Sequence, residues 1–199
     1  MIDVMDIEDL VPEEFAGICG IATPIIIYLF IGIAILVHPG FSWSDNAISD
    51  LGASDYNYSN ILNFGFIVGG IAAVIFTMGI WRYVETKAGV LGTTLFLVGM
   101  ISLILLGVFP KGTEPHMYVT ILFYALAIGG MVLIGADQLW DFVEPIWGIF
   151  ILATVILAGA AVWLVYSIPY DLGPAIPEFI GSIPIMLFTM VIGARLYFE

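Results

Sequence analysis

Positive charge is what this chain has least of: Lys and Arg together number 4 against 17 Asp and Glu, with 2 His, for a formal net charge of −13 in 199 residues. So small a basic complement argues against nucleic-acid binding and against attachment to anionic headgroups through a basic patch. A single cysteine, Cys19, rules out an intramolecular disulfide, and a thiol in apolar surroundings is ordinarily inert. Charge of either sign is scarce at 11%, which, with 61% apolar residues and a mean hydropathy of +1.11, excludes a soluble globular domain. No Asp, Glu, Lys, Arg or His falls at the middle of a long apolar run. Proton pumps and ion-coupled carriers keep such groups at depth, so this absence argues against both. Ser102, Thr154 and Thr189 remain there for neutral hydrogen bonding, whose ordinary use is helix-helix contact.

What is present is hydrocarbon in lengths that fit a membrane. Runs at 15–37, 61–81, 89–109, 117–136, 146–166 and 179–194 are each near the ~20 residues that cross the apolar layer as helix. Only helices satisfy their own backbone there, and the connections are too short for a soluble domain. The expectation is an all-α integral membrane protein: one bundle of about six transmembrane helices over 15–199 behind an acidic tail at 1–14. The first run is too long, and too closely followed by further spans, for a cleaved signal, so helix one is expected to stay. The tail carries Asp3, Asp6, Glu8, Asp9, Glu13 and Glu14 and reads as a solvated face or a docking segment for a basic partner. Arg82, Lys87 and Arg195 against Lys111 alone put both termini in the cytoplasm and loops 38–60, 110–116 and 167–178 outside, in a multi-pass plasma-membrane protein.

Small residues point to close packing: Gly65 with Gly69 on helix two, and Ala16 with Gly20 on helix one. Pro184 predicts a kink in helix six. Trp43, Tyr56, Tyr58, Tyr118, Tyr166 and Tyr170 sit where an interfacial aromatic belt would. Each outward helix exits at a proline, at Pro39, Pro110 and Pro169, so three hairpins open to one face.

That face holds most of the chemistry-capable residues. The first loop carries His38, Ser42, Ser44, Asp45, Asn46, Ser49, Asp50 and Asp55. Ser42 with Asp45 fits a capping box and predicts a short interfacial helix over 43–51, on which Asp45 and Ser49 share one face and Asn46 and Asp50 another. In the second loop Thr113 can cap helix four, Pro115 suits its first turn, and His116 follows. The third adds Tyr170, Asp171 and, at the top of helix six, Glu178.

The elements HPG-FS, DNAISDLGA, NILNFGFIVGG, GVFPKGTEPH and AIPEFIG together resemble the uncharacterised membrane family known as domain of unknown function 998, over essentially the whole chain. More distantly the chain is similar to six-helix proteins of GPI-anchor lipid remodelling, through Ser49, Asp50, Gly52, Pro110 and His116. That resemblance implies a membrane-lipid role and a fold, not a reaction.

Two functional classes follow. In the first the chain is a hydrolase or transferase acting on a lipid headgroup or acyl ester, with His116, Asp50, Ser49 and Asp45 as catalytic candidates. Imidazoles and carboxylates also suit zinc or manganese, and His38, His116, Asp50 and Glu114 are the metal-ligand candidates, although no HExxH-like spacing orders them. A Ser49-His116-Asp50 arrangement is available in composition, without a nucleophile elbow. In the second class the chain is non-catalytic, its loop polars capping helices while it binds a lipid or serves as a subunit of a membrane complex. The expected partners are membrane lipids, with a membrane-protein partner or a homo-oligomer left open. A neutral-solute channel has no visible pore pattern.

Overall fold

The computed structural model describes residues 11–84, 86–140, 145–168 and 172–198. The six apolar runs form α1 (Glu13–Val37), α2 (Asn60–Ile80), α3 (Lys87–Val108), α4 (His116–Trp140), α5 (Pro145–Ser167) and α6 (Ala175–Phe198). Each is long and apolar enough to cross a membrane, and the expected spans hold to within a few residues. The acids Asp3, Asp6, Glu8 and Asp9 lie outside the described residues, whereas Glu13 and Glu14 open α1, where negative charge suits the helix dipole.

Proline places three of the stops. Helices α1, α3 and α5 end at Val37, Val108 and Ser167, each two residues before a proline, whose ring disfavours helical backbone at the residue before it. At the start of α3, Thr86 accepts from the Gly89 amide at 3.1 Å and donates to Asp137 of α4, a carboxylate only 6% exposed. Asp137 is thereby held near the positive end of a helix, a pairing between distant segments that the sequence did not advertise.

Successive helices pack side by side, and α6 closes the ring against α1 while also touching α2 and α4. One end of the bundle holds the start of α1 and the end of α6. There Arg82 donates to the Val11 carbonyl at 2.8 Å and faces Glu13 at 3.6 Å. The other, the loop end, gathers residues 38–59, 109–115, 168 and 172–174. At the centre Phe188 meets Phe76 and Phe96 edge-on, with ring centroids 5.8 and 5.0 Å apart. Helix α5 is the least embedded, burying only Gly148 and Ile151.

Three of the hydroxyls expected at depth bond within their own helices. Ser102 donates to Val98, Thr154 to Ile151 and Thr189 to Met186, so the helix-helix bonding expected of these three is replaced by local back-bonding. Helix contact comes instead from close approach of small residues, as expected for Ala16 and Gly20 of α1 and Gly65 and Gly69 of α2. A Cβ on Gly20 would stand 2.7 Å from the Thr189 carbonyl, and one on Gly69 2.5 Å from the Ile27 side chain.

The tightest seam, α3 against α4, yields a paired test. A Cβ on Gly130 would meet the Gly92 carbonyl at 2.6 Å and the Phe96 amide at 2.7 Å, both backbone, whereas one on Gly129 meets nothing within 4 Å. Gly130→Ala is expected to cost about 1–2 kcal/mol by forcing the helices apart. Gly129→Ala should be neutral or slightly stabilising, because alanine is the better helix former. Thermal unfolding of the two variants in detergent checks this, and equal midpoints would refute the seam.

Candidate functional site

The loop end is closed by the first loop folding down over the bundle. Beyond α1 the chain turns at His38, whose ring packs edge-on against Tyr56 at 4.3 Å. Ser42 then donates to Asp45 at 2.6 Å and Ser44 to the same carboxylate at 3.2 Å, on an exposed turn. Helical structure begins later and is tighter than expected: a 3-10 turn spans Ile48–Gly52, and 43–51 is not one helix. The reason lies in the competing side-chain bonds. Ser42 is engaged with Asp45, its own amide donates to Asn46 Oδ1 at 2.9 Å, and the cap falls to Asp50, which accepts from the Ala47 amide at 2.7 Å. Asp45 and Ser49 consequently do not share a face.

Four ties fasten this loop to the bundle. The Ala175 amide, entering α6, donates to the Asn46 carbonyl at 3.0 Å. Asn63 of α2 donates to the Gly52 carbonyl at 2.9 Å. Lys111, from the second loop, reaches Asp50 at 2.5 Å. Glu178 of α6 accepts from the Ile48 amide at 2.8 Å, and from the Ser49 amide and hydroxyl at 3.4 Å each. Gly173 passes so close to the Ser44 backbone, at φ +74°, that only glycine fits.

Burial by itself pushes the Asp50 carboxyl up. The Lys111 ammonium, the Ala47 amide and the Asn46 side chain outweigh it and hold Asp50 below its ordinary value. Its stabilising contribution is therefore complete at neutral pH and is lost as the pH falls through the ordinary carboxylate range and below.

Under the 3-10 turn lies a cavity of about 60 Å³ inside the bundle. Its walls are mostly apolar, with Ile27, Ile31 and Leu103 among them, and its polar rim is Ser49, His116, Thr120, Tyr124, Glu178 and Ser182. His116 opens α4 as expected, and its Nδ1 donates to the Phe109 carbonyl at 2.9 Å, which leaves Nε2 as the accepting nitrogen. Thr113 does not cap α4, because its hydroxyl turns back to the Pro110 carbonyl at 2.8 Å. Tyr124 donates to the Glu178 backbone carbonyl at 3.0 Å, and Tyr28 pairs with Ser182 at the same distance.

The candidate residues are thus divided by the fold. Ser49 and His116 share the cavity. Asp50 stands above it, occupied by Ala47 and Lys111, and Asp45 faces outward in its own turn, so a Ser49-His116-Asp50 arrangement does not form. Nor are His38, His116, Asp50 and Glu114 gathered as metal ligands: His38 lies against Tyr56, Glu114 is exposed in the second loop, and no group of three His, Cys, Asp or Glu among the described residues could hold a metal ion. Tyr170 and Asp171 lie outside the described residues.

The acid that meets Ser49 is Glu178, legible in the sequence as a polar residue at the top of helix six but not as its partner, 129 positions away. Tyr124, Thr120 and Ser182 were missed altogether. For Tyr124 the available signal was a tyrosine two turns inside a span, about 12 Å beyond the belt position a membrane tyrosine usually takes.

Compared with known families, residues 21–195 match the model described as Protein of unknown function (DUF998). No curated protein and no solved structure matches the chain.

Proposed function

From the premise that this chain belongs to the DUF998 family, we propose that it is a multi-pass membrane protein that binds a membrane amphiphile at its loop end. The observation that carries this reading is the cavity itself: an apolar interior in which Ser49, His116 and Glu178, from three separate segments, converge at one rim. Convergent polar groups set against apolar walls are how a site fixes a ligand's polar end, and about 60 Å³ admits such an end but not a chain. The ligand's polar end would meet these side chains while its hydrocarbon stays in contact with α-helical walls.

A second reading, a lipid-modifying hydrolase or transferase, is favoured by one feature: His116 is oriented by the Phe109 carbonyl so that Nε2 can accept a proton at a rim that also holds the Ser49 hydroxyl. Binding is preferred, because the amides of Ile48 and Ser49 that could stabilise an oxyanion are engaged by the Glu178 carboxylate. The similarity to GPI-anchor lipid-remodelling proteins rests on Ser49, Asp50, Gly52, Pro110 and His116, and no matched relative adds to it. The basic residues Arg82, Lys87 and Arg195 against Lys111 support cytoplasmic termini, with the cavity toward the outer surface.

Lipid analysis of the purified full chain tests the reading. The native protein should carry an amphiphile that survives detergent washing, and Thr120→Phe and Ser182→Phe, which fill the cavity, should lose it while remaining folded. Absence of any retained or titratable amphiphile on the native protein would sink the proposal. If an ester probe is also cleaved, and Ser49→Ala and His116→Gln stop cleavage without stopping binding, the enzyme reading replaces it. Labelling of Ser44→Cys, in a Cys19→Ser background, by an impermeant maleimide on intact cells checks the orientation.

A further inference from the structure

A groove of about 310 Å³ runs along the loop end between α4, α5 and α6. It is lined by Tyr124 of α4, Val162 and Tyr166 of α5, and Pro177, Glu178 and Gly181 of α6. Two of these, Tyr124 and Glu178, also line the internal cavity. They form the partition between a space open to the side of the bundle and a space inside it. The partition is light: the Tyr124 ring stands over Gly181, where a Cβ would be 3.3 Å from the ring edge, and among the described residues its hydroxyl is anchored to the Glu178 backbone carbonyl alone.

The wall beside it is equally light. Beyond Ile151 no residue of α5 is buried, so the half of α5 that borders the groove is held by few contacts. Volumes divide the two spaces by use. The groove is at the lower limit of ligand-sized pockets, whereas the cavity has room for little more than a polar group or a few waters. Charge selects the occupant: Glu178 is the one charged side chain on the groove wall among the described residues, and Asp50 lies close above it. Lys111 acts on both carboxylates but brings one positive charge against two negative ones, so an anionic head would be repelled.

We propose that this groove is a lateral doorway from the bilayer, through which a single-chain amphiphile passes its polar end between Tyr124 and Glu178 into the cavity, its chain remaining along α5. The polar end donates hydrogen bonds and carries no negative charge. The proposal rests on the binding function argued above and adds to it the route and the ligand class.

Probes of one chain length separate the two ideas: 1-hexadecylglycerol and hexadecylamine against hexadecanoate, titrated into the full chain in nanodiscs and followed by native mass spectrometry. The neutral and cationic probes should bind, and hexadecanoate should bind weaker by about ten-fold or more. Gly181→Trp, which fills the groove floor, and Val162→Trp, on the loosely held helix, should each lower affinity for 1-hexadecylglycerol by about ten-fold. Their thermal midpoints report whether they fold, and Val162→Trp stands as the test if Gly181→Trp does not. Undiminished binding in a folded variant overturns the doorway, and equal binding of hexadecanoate overturns the charge selection. Failure of all three probes on the native chain overturns the binding function itself.

Discussion

Phe188→Ala is expected to destabilise the bundle by roughly 3 kcal/mol. Phe188 is 1% exposed and meets Phe76 and Phe96 edge-on at once, joining α6 to α2 and α3. In a soluble core the loss would include transfer of the ring from water. Here the unfolded reference is still in lipid, so that term largely disappears. What remains is the cavity: roughly 100 Å³ removed at about 24 cal/mol per Å³ amounts to about 2 kcal/mol. Two lost edge-to-face pairs add about 0.5 kcal/mol or more each. Denaturant titration in mixed micelles measures the sum. Leu157→Ala, on the exposed face of α5, serves as the control expected to change little. Equal effects for the two would mean that α6 is not the centre of the bundle.

Glu178→Ala is expected to release the first loop. Its carboxylate accepts from the Ile48 and Ser49 amides and the Ser49 hydroxyl, and removing it leaves those donors facing an alanine methyl. Hydrogen bonds to a charged acceptor contribute about 1.5–3 kcal/mol, which converts to a rise of roughly ten- to a hundred-fold in local opening. Hydrogen exchange over residues 47–53 should accelerate by that factor while the exchange of α2 and α3 stays unchanged. Glu178→Gln, which keeps one accepting oxygen, should fall between. Because the same carboxylate lines the cavity, amphiphile binding should be lost with the alanine variant. Unchanged exchange at 47–53 would show that Lys111–Asp50 and Asn63–Gly52 hold the loop without Glu178.

These two residues mark where reading the chain stops. Phe188 sits in a stretch of α6, 183–193, that is apolar except for Thr189, and in lipid an apolar residue is equally at home facing a neighbour or facing the membrane, so no periodicity singles out the central ring. Glu178 was visible as a lone acid opening a helix, yet nothing along the chain tells which amides it will cap 129 positions away. The short helix expected over 43–51 failed for a local reason: Ser42, Asp45, Asn46 and Asp50 all compete for the same backbone donors, and the winner depends on where Ala175 and Lys111 come to rest.

The membrane class, six spans, their boundaries at Pro39, Pro110 and Pro169 and the gathering of polar loops at one end were determined by sequence alone. Hydrocarbon length and proline sterics are properties of a segment and need no partner. Which loop residues share a site was decided by tertiary structure. The pairing of Ser49 with Glu178 rather than Asp50, the placement of His116 over a cavity and the thin wall at Tyr124 each depend on how α4, α5 and α6 sit against one another, and in a medium as apolar as the side chains themselves that choice is made by shape complementarity between helices.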